Sequence, residues 1–250
     1  MSFTNAQNET FQLLCGVNLA VEKGKITALV GGNGTGKTTL FNIISGFEKD
    51  YTGDVIFEDI NFNKIPAHRI SLMGIGRLFQ DGQLLPGLTL MENMKMASDD
   101  KTGEWPFSSL IRPKQWKDAE AKKELLAKDI LKRIFGEDCK YLNMLNDDAS
   151  AFSYGEQRLL SLARLMGGDR LLLLDEPTSG VNPVYIDTIE KIIREMVAEG
   201  LTVLLIEHNM HFVRKVADIC AYLDDGIIEK IGSTAEVLDD KNVRNSYLGL

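Results

Sequence analysis

The sequence predicts an α/β fold with a mostly parallel sheet core, a small antiparallel β patch and an inserted helical subdomain. Three observations carry that expectation. Apolar, β-branched runs alternate with helical patterns at both ends of the chain, over residues 25–46 and 158–231, the order that builds parallel sheets. The stretch between them, about residues 85–165, is mainly helical in pattern and reads as an insertion into a single domain spanning 1–250. The first strand–helix junction is the run Gly31-Gly32-Asn33-Gly34-Thr35-Gly36-Lys37-Thr38, and such loops sit at the carboxyl end of a buried parallel strand.

Taken in order, residues 1–12 are polar and weakly patterned, an edge strand or a loose entry. Residues 16–21 alternate as a strand should, and Glu22-Lys23-Gly24 turns the chain into the buried strand 25–30. Leu40, Phe41, Ile43 and Ile44 then lie at helical spacing up to Ser45-Gly46. Residues 53–57 and 60–62 form the antiparallel patch, and residues 71–80 end in a strand that delivers Gln80. A loop with Leu84, Leu85 and Leu88 leads to a helix whose Met91, Met94 and Met96 suit core filling.

Residues 101–117, with both tryptophans and two prolines, read as an insertion. From 118 to 135 a long helix carries Leu125, Leu126, Ile130, Leu131 and Ile134 as its apolar stripe. Beyond Arg158 the pattern gives a helix, strand 171–174, helix 185–199, strand 202–206, helix 209–217 and a closing β pair near 221–231.

A length of 250 residues is ample for a sizeable core. The net charge of −8 argues against a nucleic-acid footprint, which needs a basic surface. Cys15, Cys139 and Cys220 lack metal-ligand spacing and read as reduced thiols. No apolar run has membrane-spanning length, and residues 1–15 lack the pattern of a signal peptide. The expectation is a cytosolic protein whose membrane connection comes through a partner.

The glycine-rich run reads G-x-x-x-x-G-K-[ST], for which a chance match in a chain of this length is on the order of one in a hundred. Backbone N–H groups of such a loop close around phosphate oxygens, and the helix start adds its positive dipole end. Lys37 then reaches the β- and γ-phosphates, the Thr38 hydroxyl ligates Mg²⁺, and Thr39 continues the phosphate-binding helix start. This is a nucleoside triphosphate site.

Leu171 to Leu174 is an apolar run ending in Asp175-Glu176, and ligands sit at the carboxyl ends of strands in open α/β sheets. Asp175 suits holding Mg²⁺ and Glu176 suits polarising a water for in-line attack. The plainer alternative is an acidic pair capping the turn at Pro177. Ser153, Gly155, Glu156 and Gln157 precede a helix with Leu159, Leu162, Ala163 and Met166 on one face. Taken alone, that start is an N-cap; beside the phosphate loop it is a second anion site.

Over nearly its whole length the chain resembles the nucleotide-binding subunit of an ATP-binding-cassette (ABC) transporter, a P-loop NTPase. The motifs stand in the family's order: the phosphate loop, Gln80 of the Q-loop, the signature at 153–157, Asp175-Glu176, the D-loop Ser179-Gly180-Val181-Asn182-Pro183, and the switch His208. The signature departs from the common LSGGQ as Phe-Ser-Tyr-Gly-Glu. That variant, with Ile206-Glu207-His208-Asn209-Met210 and the terminal Tyr247-Leu248-Gly249, resembles the ATPase subunits of branched-chain amino acid importers.

The resemblance implies ATP and Mg²⁺ as ligands, with Thr38, Gln80 and Asp175 at the metal, Glu176 as base and His208 sensing the γ-phosphate. It implies a head-to-tail pair with a second ABC ATPase, a homodimer or a sister cassette, in which Ser153, Gly155, Glu156 and Gln157 cap the partner's ATP. It also implies transmembrane permease subunits, an extracytoplasmic solute-binding protein, no nucleic acid, and a place at the cytoplasmic face of the cell membrane. Phe11 has two readings, the adenine-stacking aromatic and a strand core residue. A lipopolysaccharide-export ATPase and a non-transport ABC protein are the rival functions.

Overall fold

A computed structural model of the chain describes residues 2–4, 10–81, 84–96, 113–168 and 170–248. The chain divides into two compact units, Met1–Phe79 with Arg170–Glu176 and Val197–Leu250, and Gln80–Asp169 with Pro177–Met196.

In the first unit, β1 (Ser2–Thr4) and β2 (Thr10–Gln12) pair with each other as an antiparallel ribbon. The core is a six-stranded sheet of β3 (Ile26–Val30), β6 (Ile75–Leu78), β7 (Leu171–Asp175), β8 (Thr202–Ile206), β9 (Ile219–Asp224) and β10 (Ile227–Ser233), in the order β10-β9-β3-β8-β7-β6. Only β10 runs antiparallel to its neighbour. β3, β7 and β8 are buried along their whole length, as parallel strands covered on both faces must be.

Alternate residues of one strand feed opposite faces. Leu29 joins a cluster with Leu40, Phe41 and Ile70, which lie on α1 (Lys37–Ile44) and α2 (Ala67–Leu72). Ala28 and Val30 join the other, with Val213, Val237 and Val243 from α3 (Met210–Val216), α4 (Thr234–Leu238) and α5 (Lys241–Leu248). The antiparallel patch is β4 (Ile56–Phe57) with β5 (Ile60–Asn61), closed by Glu58 and Asp59, both at positive φ. Such a two-residue turn matches strand twist.

The second unit holds α6 (Leu90–Lys95), α7 (Pro113–Phe135), α8 (Tyr154–Arg164) and α9 (Ile186–Ala198) as far as Met196. Thr89 and Glu92 form a capping box on α6, and buried Asn93 ties its amide to the backbone of Leu85. The buried stripe of α7 is Ala127, Ile130, Leu131 and Ile134, spaced i, i+3, i+4, i+7. Among the described residues no helix is long and apolar enough to cross a membrane.

The mostly parallel sheet, the antiparallel patch and the three central strands match the expectation. Four local expectations are corrected. Residues 16–21 form no strand; Val17, Leu19 and Val21 pack as partly buried loop residues against the first cluster. The segment from Pro113 onward is helix, so Trp116 belongs to α7 rather than to an insertion, and residues 97–112 lie outside the described residues. Leu125 is 67% exposed, since it neighbours Leu126 and a helix turns about 100° per residue. Met96 is likewise exposed while Met91 and Met94 are core.

Candidate functional site

β3, β8 and β7 are adjacent and parallel, with Leu29 beside Ile206 and Ile206 beside Asp175. Their carboxyl ends therefore line up and lead into the phosphate loop, into Glu207-His208 and into Asp175-Glu176. Residues far apart in sequence converge there because parallel register leaves them no other place.

The loop runs from the end of β3 to Lys37, the first residue of α1, with Gly36 as the N-cap. Gly31 is required by packing. A Cβ there would lie 2.1 Å from the backbone carbonyl of Leu223 on β9, so no side chain is tolerated. Lys37 is buried, and its Nζ donates to Gly31 O at 2.9 Å and Gly32 O at 2.6 Å. Burial lowers its pKa from the usual lysine value, while the Glu176 and Asp175 carboxylates act the other way. Thr35 Oγ1 donates to Gly32 O at 3.0 Å, which braces the turn. Asn33, Gly34 and Thr38 are exposed, and Thr39 is half-buried.

Asp175 is 3% exposed at the end of β7. Glu176 has φ 47°, and its amide donates to Ile206 O at 2.9 Å. A glutamate disfavours that left-handed region, and a following proline disfavours it too. The strain, of order 1–3 kcal/mol, is of the kind that persists at functional positions. His208 Nε2 lies 3.0 Å from Glu176 Oε1. The backbone of His208 is set by buried Glu207, whose Oε2 accepts from the amides of His208 at 3.0 Å and Asn209 at 3.2 Å. Asn209 caps α3 through Phe212 N.

Sequence reasoning missed two contributors to this centre. Glu207 is one. Arg77 on β6 is the other: its Nη2 lies 3.3 Å from Asp175 Oδ2 and its side chain is 6% exposed. Glu207 stands in the sequence as part of the motif at 206–210 with no role of its own, and Arg77 only as a charged residue within an apolar run.

The signature residues belong to the second unit. Ser153 caps α8 in a reciprocal box: its Oγ accepts from Glu156 N, and its amide and hydroxyl donate to Glu156 Oε2 at 2.9 and 2.7 Å. Glu156 also pairs with Lys140. Burial works to raise the Glu156 carboxyl, and the Lys140 ammonium with the Ser153 donors outweighs it, leaving a pKa of about 2. Gln157 Nε2 donates to Phe152 O at 2.9 Å. A Cβ on Gly155 would lie 2.6 Å from the Tyr185 ring, so the ring rests on the bare backbone of α8's first turn. In the D-loop, Asn182 Oδ1 accepts from Val184 N at 3.0 Å and starts a 3₁₀ turn, Pro183–Tyr185.

Gln80 is exposed and follows β6 by two residues, at the start of the second unit. Phe11 lies on β2 opposite Phe3, and its side chain lies outside the described residues. The geometry thus brings the phosphate loop, Asp175, Glu176 and His208 together within one unit. It groups the signature residues, the D-loop and Gln80 in the other.

Residues 14–179 match the family model described as ABC transporter. The chain is 31% identical over 236 residues to the high-affinity branched-chain amino acid transport ATP-binding protein BraF of Pseudomonas aeruginosa, covering 94% of this chain and 91% of that protein. It is 35% identical over 245 residues to the probable branched-chain amino acid transport ATP-binding protein LivG of Methanocaldococcus jannaschii, covering 96% and 92%. Among solved structures, the ADP conformation of an ATP-binding cassette of an ABC transporter superposes with a TM-score of 0.76 at 30% identity, over 96% of this chain and 94% of that one. With that motif order, that fold and these relatives, the chain belongs to the ABC transporter family.

Proposed function

We propose that this chain is the ATP-hydrolysing subunit of an importer for branched-chain or other amino acids. The observation that carries the chemistry is the convergence of Lys37, Asp175, Glu176 and His208 at three neighbouring strand ends, with His208 Nε2 on Glu176 Oε1. Lys37 takes the charge of the β- and γ-phosphates. Glu176 accepts the proton of the attacking water, and His208 holds that carboxylate and faces the γ-phosphate. An exposed Thr38 hydroxyl and the Asp175 carboxylate are hard oxygen donors of the kind Mg²⁺ takes, and the family resemblance adds Gln80 as a third ligand. Mg²⁺ bound there supplies positive charge against the phosphate oxygens.

The names of the relatives support amino-acid transport over the export and non-transport readings. The chain would work at the cytoplasmic face of the membrane on separate permease subunits, with an extracytoplasmic solute-binding protein delivering the solute. Residues 85–165 act as the helical subdomain, and Gln80 and Met91 couple hydrolysis to the permease. Ser153, Gly155, Glu156 and Gln157 cap the ATP of a second cassette, whether an identical chain or a sister. Phe11 keeps its two readings, the aromatic that stacks on the adenine and a strand core residue.

The shared site is tested by mass in solution. Glu176→Gln removes the base while keeping the size, so ATP should persist and hold two subunits together by mass action. A dimer is expected only with ATP, and Ser153→Arg in the same chain should abolish it. A Glu176→Gln chain that stays monomeric with ATP bound, alone and beside a sister cassette, contradicts the shared site.

A further inference from the structure

Arg77 occupies the middle of β6, yet its guanidinium is buried among three groups of acceptors. Nη1 donates to Asn42 Oδ1 and to Ser45 Oγ, both at 2.8 Å, and Nη2 reaches Asp175 Oδ2 at 3.3 Å. Asn42 lies on α1 and Ser45 caps its carboxyl end, where the Ser45 hydroxyl donates to Phe41 O at 2.6 Å. The face of the guanidinium is enclosed by aromatic rings, with Cζ 4.5 Å from the Phe79 centroid, 5.7 Å from Phe41 and 5.9 Å from Phe47. Only a planar fork with several fixed donors can meet all of these at once.

Stability alone does not account for an arginine here. Burying an ion pair costs desolvation that its attraction seldom exceeds, and an apolar residue of similar volume commonly does as well. The Nε of Arg77 is moreover buried with no partner among the described residues. What the arginine does achieve is a link. It connects the carboxylate at the end of β7 to the helix whose first residue is Lys37.

We propose that Arg77 is a positioning residue for Asp175, fixing the carboxylate relative to the phosphate-loop helix so that it meets the metal ion of a bound nucleotide. The inference rests on the assignment of Asp175 to Mg²⁺ made above. Groups that orient a metal-binding carboxylate from behind are worth about 10- to 100-fold in metal affinity. Arg77 touches neither the phosphate loop's backbone nor Lys37 in the contacts described, so its removal should act on the metal and not on the nucleotide.

The test is a titration of the full chain with Mn²⁺, read by electron paramagnetic resonance in the presence of a non-hydrolysable ATP analogue. Analogue binding without metal and thermal melting are measured in parallel. Arg77→Met should weaken Mn²⁺ binding about tenfold or more and leave metal-free analogue binding unchanged. Arg77→Lys keeps the charge and the aliphatic stem but not the fork. It should show the same selective loss and serves where the methionine variant does not fold. In an Asp175→Asn background, Arg77→Lys should add no further loss, because the two act as one unit.

Wild-type Mn²⁺ affinity in both Arg77 variants overturns the inference and leaves the nucleotide site standing. An undiminished loss in the Asp175→Asn background overturns it too, by showing that Arg77 does not act through that carboxylate. A wild-type chain that binds the analogue but takes up no Mn²⁺ with it removes the metal assignment and the inference with it. One that binds no analogue removes the nucleotide reading as well.

Discussion

His208 Nε2 and Glu176 Oε1 stand 3.0 Å apart, an imidazole from the end of β8 against a carboxylate from the end of β7. The contact fixes a carboxylate whose own backbone sits in a strained region. In the proposed mechanism the imidazole holds that carboxylate towards the attacking water. His208→Ala should therefore lower kcat by about 100-fold, the lower range for general-base catalysis, with little change in KM. Phosphate release under saturating ATP measures it; an unaltered kcat would separate His208 from the base.

Lys37 is held by two loop carbonyls and carries the one side-chain positive charge that the phosphate loop itself supplies. Lys37→Ala should abolish hydrolysis and most nucleotide binding while the fold survives, since the sheet beneath does not depend on the amine. Equilibrium binding of a fluorescent ATP analogue reports this directly, and retention of wild-type affinity would contradict the assigned role.

Gly155 is locked by a neighbour's ring. A methyl there would meet Tyr185 carbons at 2.6 and 2.7 Å, an overpacking worth about 1–3 kcal/mol. Gly155→Ala should lower the melting temperature, and Tyr185→Ala in the same chain should recover part of the loss. Additive losses in the double variant would mean that the ring is not what excludes the side chain.

Glu156 carries a pH signature. Its folded pKa of about 2 lies below the ordinary glutamate value of about 4.3. The stabilisation it gives is present above that ordinary value and is lost as pH falls towards 2. Glu156→Gln should be less stable at neutral pH and should lose less on acidification between about pH 4.5 and 2. Urea midpoints across that range measure the two slopes; parallel curves would refute the assignment.

The parts of the molecule that local pattern specifies were readable. β3, β7 and β8 are short apolar runs buried on both faces, and burial on both faces is written in composition alone. The phosphate loop is legible for the same reason, as a fixed spacing between one strand and one helix. The alternation of residues 16–21 misled because a strand needs a partner, and pairing is not a local property. β4 and β5 were placed but their turn was not, since Glu58 and Asp59 take positive φ without the glycine that usually marks it. Arg77 and Asp175 are 98 residues apart. The parallel register of β6 on β7 sets Arg77 beside Leu173, and Asp175, two residues further along the strand, comes within its reach. The start at Ser153 was readable as an N-cap, whereas its reciprocal box with Glu156 needed the structure, and the role proposed for these residues at a second cassette rests on resemblance and on no spacing in the chain.

The most direct measurement of the central claim is single-turnover hydrolysis of radiolabelled ATP by purified wild-type chain and by Glu176→Gln, with bound nucleotide quantified in the same samples. The wild-type chain should release phosphate. Glu176→Gln should retain intact ATP and release phosphate at least about 100-fold more slowly, the loss expected for a general base. Equal release from both proteins would contradict Glu176 as the base and, with it, the chemistry assigned to these strand ends.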